Sequence, residues 1–197
     1  MSDGALAALV LTSLAIMGSP GPATISLTAA AAAYGIRRSL GYLAGIIVGT
    51  AVVLVAVATG VTAALLSVPA LRPILIGAAA AYILWLAYHL ATAPPLSDQS
   101  GGDAPSLLGG TFLGVANPKA WVAIAAVFAT ARLANSAALD AVAKAAVLSV
   151  MIALINTLWL LAGASLAPLL RHPRRSRIVN RVLAAALVAA TALALVH

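Results

Sequence analysis

Hydrophobic positions in this chain fall in long, almost unbroken blocks separated by short polar stretches. Segments such as Ala51 to Ala58 and Val182 to Ala190 are apolar on every side. A strand crossing a membrane alternates polar and apolar positions over about ten residues, so these blocks predict helices. Only a helix satisfies its own backbone hydrogen bonds in lipid without a partner. A crossing needs about 20 residues, and six blocks meet that length, at 4–33, 40–66, 71–93, 107–131, 140–170 and 178–196. The first does not read as a secretory leader. A leader opens on positive charge, and here Asp3 is the only charge before Arg37. The expected connections are Arg37-Arg38-Ser39, residues 69–73, the Pro- and Gly-containing stretch 94–106, and the arginine-rich stretch 170–180.

Composition strengthens this picture. Of the 197 residues, 63% are hydrophobic and 8% are charged. A soluble domain has about 45–50% and about 25%. The expectation is an all-α integral membrane protein with six transmembrane helices in one domain, 1–197. Cysteine is absent, which excludes a disulfide scaffold. The net charge of +7 would suggest nucleic acid in a soluble protein. Here the basic residues lie mostly between apolar blocks, so an anionic lipid leaflet is the expected partner and nucleic acid is not. Seven basic residues (Arg37, Arg38, Arg171, Arg174, Arg175, Arg177 and Arg181) fall on one side of the predicted topology, and three (Arg72, Arg132 and Lys144) on the other. The basic side is the cytoplasmic one, which puts both termini outside.

Six spans divide into halves of three, approximately 1–93 and 107–197, and an odd number per half forces the halves into opposite orientations. Gly18-Ser19-Pro20-Gly21-Pro22-Ala23 interrupts the first block, and Ala116-Asn117-Pro118-Lys119-Ala120 the fourth. Pro20 and Pro118 are 98 residues apart, close to half the chain. Proline-interrupted segments at matching places in two halves are the best sequence pointer to a transporter's binding site. Proline removes an N–H and frees carbonyls, and freed groups are tolerated in a membrane where they line a cavity. The expected architecture is two inverted three-helix repeats with broken first and fourth helices. An ordinary kink packed against a neighbour is the plainer alternative.

Pro20, Gly21, Pro22, Thr24, Asn117, Pro118, Lys119 and Asn156 are the candidate substrate and ion pathway. A lysine at mid-span costs roughly 2.5–3.5 kcal/mol, which favours a role for Lys119, such as meeting a substrate carboxylate; snorkelling to the interface is its alternative. Asn117 caps the helix that follows or serves the pathway. Asn156 lines the pathway or bonds across to another helix. Thr24, Ser26 and Thr28 back-bond to their own helix or contact substrate. Asp140 and Lys144 are spaced for a structural pair at i,i+4, and Asp140 is also the leading carboxylate for proton coupling. His89 joins Tyr82, Trp85 and Tyr88 in an interfacial aromatic belt. Gly41, Gly45 and Gly49 stack on one helix face. Such a face suits close packing within the monomer first and a homodimer seam second.

At these motifs the chain resembles the lysine-exporter (LysE/RhtB) family of small bacterial amino-acid exporters. The likeness rests on PGPA at 20–23, Gly35 and Arg37 with the glycine ladder, GAAAAYILWLAYHL at 77–90, and FLGVANPKAW at 112–121. The NPKA core matches the family pattern unchanged. Ala23 departs from it, standing where family members usually carry Asn or Asp. The resemblance implies a six-helix carrier in the bacterial inner membrane that exports amino acids or related small metabolites, driven by an ion gradient through proton antiport. An exporter of inorganic ions or other small solutes is the alternative, and a non-transport assembly subunit comes after it. An enzyme is not expected. Cys and Glu are absent and the three histidines make no ligand spacing, so neither a nucleophile–base pair nor a metal site is visible, and no cofactor is implied.

Overall fold

The computed structural model describes residues 3–60, 104–130 and 132–165, with further helical positions between 77 and 92 and between 174 and 189. Five helices have defined bounds: α1 (Asp3–Met17), α2 (Pro22–Ala58), α3 (Leu107–Ala116), α4 (Pro118–Thr130) and α5 (Ala137–Ser165). No strand occurs among the described residues. By length and apolarity α2 and α5 can each cross a membrane, and α3 with α4 can do so as a pair bent by 58°.

The long α2 is two segments. Gly35, at φ 77° and ψ 168°, divides it into 22–34 and 36–58. That backbone lies in the left-handed region, which glycine enters without steric cost. The sequence led us to expect the turn at Arg37-Arg38-Ser39, and the structure places it before them. All three are helical, with Arg37 and Arg38 exposed and Ser39 buried. The charges mark a helix start facing outward, not a loop. The second segment ends at Ala58, followed by Gly60 at φ 74°.

Two clusters form the core. Leu27 from the first segment of α2 and Tyr42 and Ile46 from the second pack with Leu113 of α3 and Leu160 of α5. Leu9 of α1, Val53, Ile124 and Val127 of α4, and Leu148 and Ile152 of α5 make the other. Ser26 and Tyr42 share a 2.5 Å hydrogen bond across the Gly35 turn.

Glycine sets the closest approach between helices. A Cβ on Gly45 would collide with the Leu107 carbonyl, and one on Gly49 with that of Thr111. The facing helix answers with Gly110 and Gly114, whose Cβ atoms would meet the backbone at Tyr42 and Ile46. In lipid the hydrophobic drive between helices is absent, and backbone-to-backbone contact of this kind supplies dispersion instead. The glycine face therefore packs within the monomer at Gly45 and Gly49. Gly41 is exposed, and a Cβ there would meet nothing among the described residues. Gly163 plays the same part where α5 crosses Thr28, whose hydroxyl donates to the Thr24 carbonyl of its own helix at 2.8 Å and lies 3.2 Å from the Trp159 carbonyl.

Candidate functional site

Two interruptions in the helices carry the site. The first spans Gly18 to Gly21, between α1 and α2; the second is Asn117, between α3 and α4. Pro22 and Pro118 each open the helix that follows, a position where the missing N–H would be unpaired anyway. Asn117 caps α4, its Oδ1 accepting from the Lys119 N–H at 3.2 Å. At the first break the Gly21 N–H donates to Thr24 Oγ1 at 2.9 Å, and that hydroxyl donates back to the Gly21 carbonyl.

The carbonyls freed at the first break are taken up by side chains from distant helices. Trp159 Nε1 of α5 donates to the Gly18 carbonyl at 3.2 Å. Lys119 Nζ donates to the Ser19 carbonyl and, at 3.2 Å, to that of Pro20. Lys119 thus ties the second break to the first across about half the sequence. Its stem passes Gly21 so closely that a Cβ there would lie 2.5 Å from its Cδ. An ammonium has three donors, so one N–H remains beyond these two carbonyls. At the second break Trp121 Nε1 takes the Val115 carbonyl at 2.7 Å.

Beside this junction lies a cavity of about 50 Å³. Its polar wall is Gly21, Thr24, Thr50, Asn117, Lys119 and Asn156, and Met17, Ala23, Ile124 and Ile155 are among its apolar neighbours. Such a volume holds a few waters and is far below the about 300–1,000 Å³ of a ligand site. Asn156 is 7% exposed. Its Nδ2 donates to the Ile152 carbonyl at 2.8 Å, while its Oδ1 accepts no hydrogen bond. A buried amide oxygen without a partner costs about 1–3 kcal/mol. On a cavity wall it marks a place for a donor from outside the chain.

Five of the eight sequence candidates line this cavity: Gly21, Thr24, Asn117, Lys119 and Asn156. Pro20 contributes its carbonyl, and Pro22 and Pro118 shape the breaks. Asp140 lies elsewhere. Its carboxylate accepts from the Leu133 N–H at 2.5 Å and the Ala134 N–H at 3.3 Å, and pairs with Lys144 at 2.9 Å. Lys144 in turn donates to the Phe128 carbonyl at 2.8 Å. The pair fastens the turn between α4 and α5. The belt positions Tyr82, Trp85 and His89 lie outside the described residues. Sequence reasoning missed Thr50, Trp121 and Trp159. The indole N–H of a half-buried Trp seeks an acceptor, which is the available signal for the last two. Among the described residues no group of three or more metal-ligating side chains occurs.

The comparisons with known proteins bear on the family. A family model described as LysE type translocator matches residues 14–197. The chain is 34% identical over 172 residues to a cysteine/O-acetylserine efflux protein of Salmonella choleraesuis (strain SC-B67), covering 86% of each chain. It is 34% identical over 171 residues, again with 86% of each covered, to the protein of the same name from Escherichia coli (strain K12). No solved structure matches it significantly.

Proposed function

That this chain belongs to the LysE type translocator family is the premise from which we propose that it exports small amino acids or related metabolites across the bacterial inner membrane, coupled to an ion gradient by proton antiport. It is a membrane transporter and not an enzyme. The observation that carries the proposal is the junction of the two breaks. Lys119 from one is bonded to carbonyls of the other, and the partnerless Asn156 oxygen faces the same cavity. Inert helix bundles have no use for freed backbone groups and an orphan amide at membrane depth.

In this reading the six apolar blocks are six spans arranged as two inverted three-helix repeats. α1 with the first segment of α2 is the broken first span, and α3 with α4 the broken fourth. The seven-to-three bias of basic residues puts the Arg37–Arg38 side in the cytoplasm. The cavity is too small for an amino acid, so in this reading the walls part to load one. The names of the relatives point to cysteine and O-acetylserine as first substrates to try. The wall offers two amides, two hydroxyls and one cation, and no carboxylate among the described residues, which suits an uncharged side chain better than a cationic one.

The test is efflux from preloaded proteoliposomes. The panel holds O-acetyl-L-serine, L-cysteine, L-threonine and L-lysine, each with an imposed proton or sodium gradient. Efflux of one or more neutral members, accelerated by a proton gradient, is expected. Retention of every member under both gradients would overturn the substrate class.

A further inference from the structure

We propose that the carbonyls of Ser19 and Pro20 form a single cation cradle, occupied in turn by the Lys119 ammonium and by the ammonium of the transported solute, so that loading the solute expels one proton. This deepens the export reading above and rests on it.

The first break presents opposite ends of two helices. α1 ends at Met17, and the carbonyls of Gly18, Ser19 and Pro20 follow it. The C-terminal end of a helix favours a cation, and these carbonyls add lone pairs. Trp159 holds the Gly18 carbonyl, which leaves those of Ser19 and Pro20 to Lys119. Three residues on, α2 begins. The N–H groups of Ala23 and Thr24 lie in its first turn, where no intrahelical acceptor exists, and both residues line the cavity. One break thus offers a cation end and an anion end a few residues apart, the arrangement that a zwitterion matches. Asn156 Oδ1, buried and unpartnered on the same wall, is a further acceptor for an ammonium proton.

The cation end is already filled, and by a group on the same chain. Two ammonium ions on the same two carbonyls would repel each other at close range. A solute ammonium therefore enters only if Lys119 leaves as the neutral amine. Lysine can give up its proton, and arginine in a protein does not. The proton passes from Lys119 Nζ to water on the side from which the solute arrives. When the solute departs on the other side, Nζ takes a proton from there and returns to the two carbonyls. One solute moves out for one proton in.

Among the described residues, no other group near the cradle can serve. The cavity residues contributed by α1, α2 and α5 include no titratable side chain among those described. The charges of α5, Asp140 and Lys144, pair with each other beside Phe128. That is nine residues from Lys119, about 14 Å along α4 at about 1.5 Å per residue. On α2, Arg37 and Arg38 are exposed beyond the Gly35 turn, and Tyr42 is bonded to Ser26. Gly21 is bare where the Lys119 stem passes, so the side chain has a track along which to withdraw.

Proton release on solute binding tests this directly. Purified protein in weakly buffered detergent at pH 7 is titrated with O-acetyl-L-serine while pH and binding are recorded together. The expected result is about one proton released per solute bound, and an apparent affinity that weakens by up to about tenfold per unit fall in pH. Lys119→Met should bind the solute with no proton release and no pH dependence. In proteoliposomes it should exchange solute for solute while no longer responding to a pH gradient. Lys119→Arg should lose binding at least tenfold, because its charge stays in the cradle. Binding by the unaltered protein without proton release overturns the inference, even if Lys119→Met fails to fold. So does exchange retained in Lys119→Arg and lost in Lys119→Met, the ranking expected of a structural tie. Absence of any transported or bound panel member instead overturns the export reading, and this inference with it.

Discussion

Asn156 and Lys119 share one cavity wall but differ in how their polar atoms are satisfied, and mutations there should separate stability from transport. Replacing Asn156 by Leu removes an orphan oxygen from a site that is 7% exposed. The protein should gain about 1–3 kcal/mol, read as a higher melting temperature in detergent, while efflux falls at least tenfold. A stabilised variant with full efflux would show that Asn156 does not meet the solute. Gly21→Ala tests the neighbouring contact. Its Cβ would stand 2.5 Å from Lys119 Cδ and 3.2 Å from Nζ. A flexible side chain can yield, so the fold should persist while Lys119 is displaced from the Ser19 and Pro20 carbonyls. Efflux should drop with little change in thermal stability. Ala23 shows how a residue is read differently once placed. In sequence it is a departure from the family's usual Asn or Asp; in the structure it is apolar cavity wall, so the departure falls where a solute would be sensed.

At the scale of elements, the glycines divide by what faces them. Gly45→Leu and Gly49→Leu would drive side chains into the α3 backbone. Overpacking typically costs about 1–3 kcal/mol and occasionally more, and against rigid backbone the upper end is expected. Gly41→Ala is the control. Gly41 is exposed with open space around it, and alanine in a helix is better by about 0.5–1 kcal/mol. Thermal unfolding of the three variants checks this. If Gly41→Ala destabilised as much as Gly45→Leu, the face at Gly41 would be a contact with another copy. The sequence displayed the ladder of glycines on α2 because a spacing of four is visible in any helix. Gly110 and Gly114 repeat that spacing on α3, yet only the packed structure reveals that the two stripes interlock. The turn before the second span falls at Gly35, not at the charged residues, for a related reason. Charge marks exposure, and Arg37 and Arg38 are exposed, but the reversal needs a backbone that Gly35 alone supplies there.

For the whole molecule the testable feature is orientation. Ser39 is buried, so a cysteine there is a poor reporter despite its place among polar neighbours. Arg38→Cys and Arg177→Cys, both at exposed positions, should react with an impermeant thiol reagent only from the cytoplasmic side. Ser136→Cys, exposed in the turn before α5, should react only from outside. The chain has no cysteine of its own, so each label reports one site. Labelling of Arg38→Cys from outside would reverse the topology. By itself the sequence determined the class of protein, the helical character of its spans, the two proline breaks and most of the residues around them. Those properties follow from local chemistry. A long apolar block has few other states in lipid, and proline is excluded from a straight helix interior but suits the first position of a new helix. The tertiary structure decided which distant groups meet. Lys119 reaches Ser19 and Pro20, Trp159 reaches Gly18, and Thr50 joins a wall with Asn117 and Asn156. Asp140 is bound into a turn away from that wall. Such pairings depend on helix crossing and rotation, which are fixed by close packing at Gly45, Gly49 and Gly163. Apolar residues exposed to lipid look the same in sequence as apolar residues turned inward, so no periodicity announces the arrangement in advance.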